Sequence, residues 1–172
     1  MFSYKPVILG FVVDLSAQTL PAVKHQVIEC VRHLEADDRC YVYHPDDLEM
    51  AIHAGPVVAA ISNYMHPQDF DLEIAIKQTI LMLGMEDQDT DKYIFALVDK
   101  YPTNWEHQLK NALRLDLKEN ARCQFTFFNF SKHDVSKLEE FHPKCKCLNV
   151  EELNTLSEKI VEMTGIDYEN NT

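Results

Sequence analysis

Glycine is scarce in this chain: four in 172 residues, at Gly10, Gly55, Gly84 and Gly165, never clustered. Phosphate-cradling loops need grouped glycines so that backbone N–H groups can close on the ligand, so dinucleotide and P-loop fingerprints are excluded. Basic residues are also few, 16 against 28 acidic ones, for a formal net charge of -12. Phosphate neutralisation needs clustered Lys and Arg, so sequence-independent nucleic-acid binding is excluded as well. The acidity keeps a surface soluble and suits cations or basic surfaces as partners. No apolar run approaches the roughly 20 residues that span a bilayer, which argues against a membrane partner. The start, Met1–Lys5, lacks the basic and then apolar stretch of a secretory leader.

Cysteine is present but in no metal or disulfide pattern. There are five (Cys30, Cys40, Cys123, Cys145, Cys147), an odd number and widely spread. Cys30, Cys40 and Cys123 fall inside apolar elements, the habitat of reduced core thiols, so a cytoplasmic location is expected. Cys145-Lys146-Cys147 follows His142 but lacks the two-residue gap of a zinc knuckle and has no matching second pair. The alternation in Lys144–Val150 reads instead as a strand with both thiols on one face. Ser16 is not in a Gly-x-Ser-x-Gly elbow, and the eight histidines show no ligand spacing.

What the chain does have is a series of short apolar runs alternating with helical stripes. Val7–Val13 reads as a strand buried on both faces. Thr19–Ala36 follows as a helix, with Pro21 in its first turn. Arg39–His44 alternates as a strand, Leu48–His53 is ambiguous, and Val57–Ile61 reads as another short strand. Asp71 to about Met85 is a helix with Leu72, Ala75, Ile76, Thr79, Ile80 and Leu83 inward. Tyr93–Val98 is a second apolar strand, and a helix carrying Trp105, Leu109, Ala112, Leu113 and Leu117 follows a capping-box signature at Thr103–Glu106. Gln124–Phe130 and Cys145–Val150 are strands, while Asp134–Phe141 and Glu151–Thr164 are helices. This alternation predicts a single α/β domain with a core over about residues 5–165. Its fold is a doubly wound, mostly parallel, Rossmann-like sheet with helices on both faces.

Two of the buried strands end the same way, in Asp14 and in Asp99. If they are neighbours where the strand order reverses, both carboxylates reach one crevice at the carboxyl ends of the strands. Ser16 lies two residues after Asp14, and the loop Tyr64–Asp71 supplies a third segment with His66, the one histidine beside the crevice. Carboxylate and hydroxyl oxygens from separate loops are the donors a hard divalent cation takes. The bland alternative is that Asp14, Ser16, Asp69 and Asp71 simply serve as cap and first-turn residues of helices, and Asp99 caps a turn before Thr103.

The order strand–Asp-x-Ser–helix, followed by a strand ending in Val98-Asp99, resembles a von Willebrand factor A-type domain over roughly Lys5–Gly165. The run Asp71-Leu72-Glu73-Ile74-Ala75-Ile76 is similar to that family's Asn-Leu-x-x-Ala-Leu segment. The resemblance implies a metal-ion-dependent adhesion site for Mg²⁺ or Mn²⁺, with Asp14, Ser16 and Asp99 at three of its ligand positions. The family's second Ser is Gln18 here, with Thr19 one position late. Its Thr falls on Phe70, between Asp69 and Asp71, either of which would stand in for it. The Gly after the late Asp is Lys100, which places a cation beside the site.

The implied function is a protein–protein interaction module binding another protein at this edge of the sheet. Gln18, His66 and Lys100, with Tyr64 and Tyr101, are available on the binding face. The alternative is a Mg²⁺-dependent phosphotransferase or hydrolase using Asp14 as nucleophile. Such enzymes want a second acid two residues later, where this chain has Ser16.

Overall fold

The computed structural model describes residues 5–45, 58–59, 61–67, 70–86, 89–114, 123–142 and 144–166, together with the backbone of 51–53. Asp69 and residues 46–50, 57, 60 and 115–122 lie outside the described residues. The expectations that fall on Asp69 and Leu117 therefore have no counterpart below.

Strand β1 (Val7–Asp14) is buried along its whole length. Helix α1 (Leu20–Val31) leads to β2 (Arg39–Val42), which runs parallel to β1. Strand β3 (Ala51–His53) then pairs antiparallel with β2. The segment expected as a strand at Val57–Ile61 is helical at 58–59 and 61–62. A run of five apolar residues does not distinguish the periods of helix and strand, and here the helical one wins. Helix α2 (Leu72–Gly84) leads to β4 (Asp91–Val98), and α3 (Trp105–Arg114) to β5 (Cys123–Asn129). A short α4 (Leu138–Phe141), β6 (Cys145–Asn149), a 3₁₀ turn at Leu153–Thr155 and α5 (Leu156–Thr164) are the remaining described elements.

Among the described residues the sheet has six strands in the order β3-β2-β1-β4-β5-β6, all parallel but β3. The doubly wound α/β arrangement read from the alternation of elements is the one observed. Alternate residues of β1 face opposite layers. Leu9, Phe11 and Val13 pack with Val23, Val27 and Cys30 of α1 and with Leu156 and Ile160 of α5. Ile8 and Val12 join α2 and α3 through Ala75, Ile76, Ile80 and Leu109. The six inward positions of α2 are the ones its spacing predicts. On β5, Phe125 and Phe127 enter the α2–α3 layer and Phe128 the opposite one. Each fully buried ring contributes about 1.5–3 kcal/mol by leaving water.

One glycine has a packing reason. A Cβ at Gly10, in the middle of β1, would lie 2.9 Å from Thr79 Cγ2 and 3.2 Å from Leu83 Cδ1 of α2. The helix therefore rests directly on the strand's backbone. At the far edge, Cys145 and Cys147 face the same layer, as the alternation predicts. The β6 amide of Cys145 donates to the His142 carbonyl (3.1 Å), and that of Cys147 donates to the Glu139 carboxylate (3.0 Å). Among the described residues, no helix is long and apolar enough to cross a membrane.

Candidate functional site

Strand order reverses between β1 and β4. The connection after β1 moves toward β2, the one after β4 toward β5, and the carboxyl ends of the pair part to leave a crevice. Asp14 closes β1, opposite Val98 in the register, and its carbonyl accepts from the Asp99 N–H at 3.1 Å. The two strand-ending acids are thus neighbours at the switch point, as their positions in the sequence suggest.

Their carboxylates, however, turn to different partners. Asp99 is taken by Ser16: the Ser16 N–H donates to Oδ1 (2.8 Å) and the Ser16 hydroxyl to Oδ2 (2.7 Å). With its proton committed, the Ser16 oxygen accepts from the Thr19 hydroxyl at 3.1 Å. This bidentate clasp fixes the β1–α1 connection onto the end of β4, so neither Asp14 nor Ser16 caps α1, whose cap position, Thr19, makes no side-chain cap. Asp71 does take the bland role, since its Oδ1 accepts from the Ile74 N–H (3.1 Å) at the start of α2. Gln18 is exposed on the β1–α1 connection.

Asp14 is paired with His66. The imidazole Nδ1 lies 2.8 Å from the Pro67 carbonyl, which can only accept, so this nitrogen carries a hydrogen. Nε2 lies 2.9 Å from Asp14 Oδ1. A carboxylate also only accepts, so a proton lies between the two, held by the imidazole or by Asp14. Burial raises the Asp14 pKa above its ordinary value. The His66 hydrogen bond and charge and the Lys100 charge oppose that rise, while Asp99 adds to it.

The ring is delivered to this place by its surroundings. Phe70 packs against it with centroids 5.1 Å apart, and Tyr43 packs edge-on to Phe70. Just before it in the chain, the Tyr64 hydroxyl donates to the Val13 carbonyl (3.3 Å). The Lys24 ammonium donates to the carbonyls of Ser62 (2.9 Å) and Tyr64 (2.7 Å). Tyr64 is therefore buried and structural, a correction to its expected place on the binding face.

Beside the Asp14–His66 pair opens a cleft of about 390 Å³. Phe70, Asp71 and Leu72 line it from the start of α2, Lys100, Tyr101 and Pro102 from the β4–α3 connection, and Gln108 from α3. Of the expected site residues, Asp14, His66, Asp71 and Lys100 come together here. Ser16 and Asp99 lock to each other at its side.

Sequence reasoning does not single out Asn129, which anchors the neighbouring wall. Its carbonyl oxygen accepts from Tyr101 Oη (2.8 Å) and from Ser131, and its amide donates to the His133 carbonyl and to Asn149. It is almost fully buried. The available signal was the same as for Asp14: a polar residue ending an apolar strand.

As arranged, these donors do not fit a divalent ion. The Asp14 oxygen faces an imidazole nitrogen, both Asp99 oxygens accept from Ser16, and Asp71 holds a helix start. Among the described residues, no group of three or more His, Cys, Asp or Glu side chains is placed to hold a metal. No family model matches the chain, and none of the curated proteins is similar to it.

Proposed function

We propose that this chain is a protein–protein interaction domain, built on the plan of a von Willebrand factor A-type domain, that receives an acidic group of a partner in the cleft at the carboxyl edge of its sheet. The observation that carries this reading is the disposition of charge in the cleft. Among the described residues its acids are Asp14 and Asp71, and each is hydrogen-bonded by the protein itself. Lys100 is exposed and donates no hydrogen bond to a described residue. A carboxylate in the cleft shares it with Lys100, His66 and Tyr101, while Gln18 is exposed on the β1–α1 connection.

The volume, about 390 Å³, is in the range of sites that enclose a small ligand, so a side chain with some flanking backbone fits. The order of elements and the meeting of Asp14 and Asp99 at the switch point support the architectural part of the reading. The free thiols fit a reducing compartment such as the cytoplasm. A phosphotransferase would need Asp14 open to attack phosphorus, whereas His66 covers one of its oxygens and position 16 holds a hydroxyl committed to Asp99.

The chain's one tryptophan gives a direct test. Trp105 packs edge-on against Tyr101 at 5.5 Å, so its fluorescence reports on the cleft. Titration with an end-blocked Glu-rich peptide is expected to give a saturable change, and a Lys-rich peptide of equal length none. Lys100→Glu should weaken the acidic peptide by about tenfold or more, the scale of losing one close charge pair and gaining a repulsion. Equal responses to both peptides, or a Lys100→Glu variant that binds as wild type, would overturn the reading.

A further inference from the structure

We infer that the His66 imidazole is the resident occupant of the position in front of Asp14 that a divalent ion would take, so that this side chain keeps the crevice indifferent to metal. The oxygen donors around the switch point are not scattered. Asp14 and Asp99 are joined through the backbone (3.1 Å), and Ser16 joins Asp99 through two hydrogen bonds. Mg²⁺ and Mn²⁺ bind through one or two carboxylates and keep several waters, so the Asp14 carboxylate, once uncovered, is the donor from which such a site would start.

Of the three residues, only Asp14 lines the cleft, and Nε2 of His66 stands 2.9 Å from its Oδ1. An ion at that oxygen would have to displace the ring. The ring is held by the Pro67 carbonyl and by Phe70, and the segment before it is tethered through Lys24 and Tyr64. Lys100 adds like-charge repulsion for any cation that arrives. The exclusion is therefore a property of the chain's own packing, and it stands whether or not the partner is acidic.

The test uses the full chain after chelator treatment, with Mn²⁺ alone as the probe. Thermal unfolding is read alongside the bound ion counted by electron paramagnetic resonance. Wild type should show no saturable shift at several millimolar Mn²⁺. His66→Ala and His66→Ser should each bind one ion. At ten times the dissociation constant, each should gain about 3–6 °C in melting temperature. Adding Asp14→Asn should abolish both effects. Two variants guard against one that fails to fold, and cooperative unfolding without metal certifies each.

A wild-type protein that binds Mn²⁺ through Asp14 would overturn the inference, and so would two folded His66 variants that ignore it. Peptide binding through Lys100 is read by fluorescence in metal-free buffer, so failure of one idea is distinct from failure of the other.

Discussion

At the scale of single residues, the chemistry of this chain is set by which polar groups are already committed. Asp99 illustrates it, because both of its oxygens are consumed by one serine 83 positions away. Commitment of another kind governs the thiols. Burial pushes Cys30, Cys123, Cys145 and Cys147 up to about 12 from an ordinary 9.0, so they stay protonated and unreactive near neutrality.

The linkage has a definite sign. Between pH 9 and 12 the unfolded chain releases thiol protons that the folded chain retains, so stability falls as pH rises through that window. Each fully buried thiol should withdraw about 1.4 kcal/mol by pH 10 relative to pH 8. Urea midpoints at the two pH values check this. Cys145→Val should narrow the gap by about 1 kcal/mol, and an unchanged gap would show that this thiol does not titrate as described. At this scale the sequence is half legible. Asp14 and Asp99 stand out because a carboxylate ending an apolar strand is conspicuous. The Ser16–Asp99 clasp and the Asn129 hub do not, because each needs to know which strand ends are neighbours.

At the scale of elements, α2 is the piece that connects core and cleft. Its inward face follows from spacing alone, since Leu72, Ala75, Ile76, Thr79, Ile80 and Leu83 recur at helical intervals. How closely it rests on β1 does not follow from spacing, because that depends on Gly10 having no side chain. Gly10→Ala must push Thr79 or Leu83 aside, and overpacking of this kind costs about 1–3 kcal/mol. The expected result is a lower denaturation midpoint with partial recovery in Gly10→Ala/Thr79→Ser, which removes the opposing methyl. No recovery would locate the cost elsewhere. The segment Val57–Ile61, read as a strand from sequence, shows the complementary limit. Five apolar residues carry no decisive period, and tertiary context settled the parts of it that are described.

At the scale of the whole molecule, charge and local site oppose each other. A chain of net charge -12 repels an acidic partner at long range even if Lys100 welcomes it at contact. Long-range forces act mainly on association and are screened beyond about 8–10 Å at physiological salt. Raising salt from low levels should therefore speed association with an acidic peptide while also hastening its release as the Lys100 contact weakens. Stopped-flow traces of Trp105 fluorescence read both rates. Association that slows steadily with salt would indicate a basic partner instead. The doubly wound architecture itself was the most legible property, because it rests on many alternating segments rather than on any one.

The far rim of the sheet has its own consequence. A bare strand edge is a template on which a second chain can continue the ladder. At β6 the outward amides of Cys145 and Cys147 already donate to His142 and Glu139. An incoming strand would find those two amides taken and would have to unpick them before docking along this stretch. Crowded copies of this protein thus meet a selvedge stitched at two points on that side, where the chain has begun its own hem.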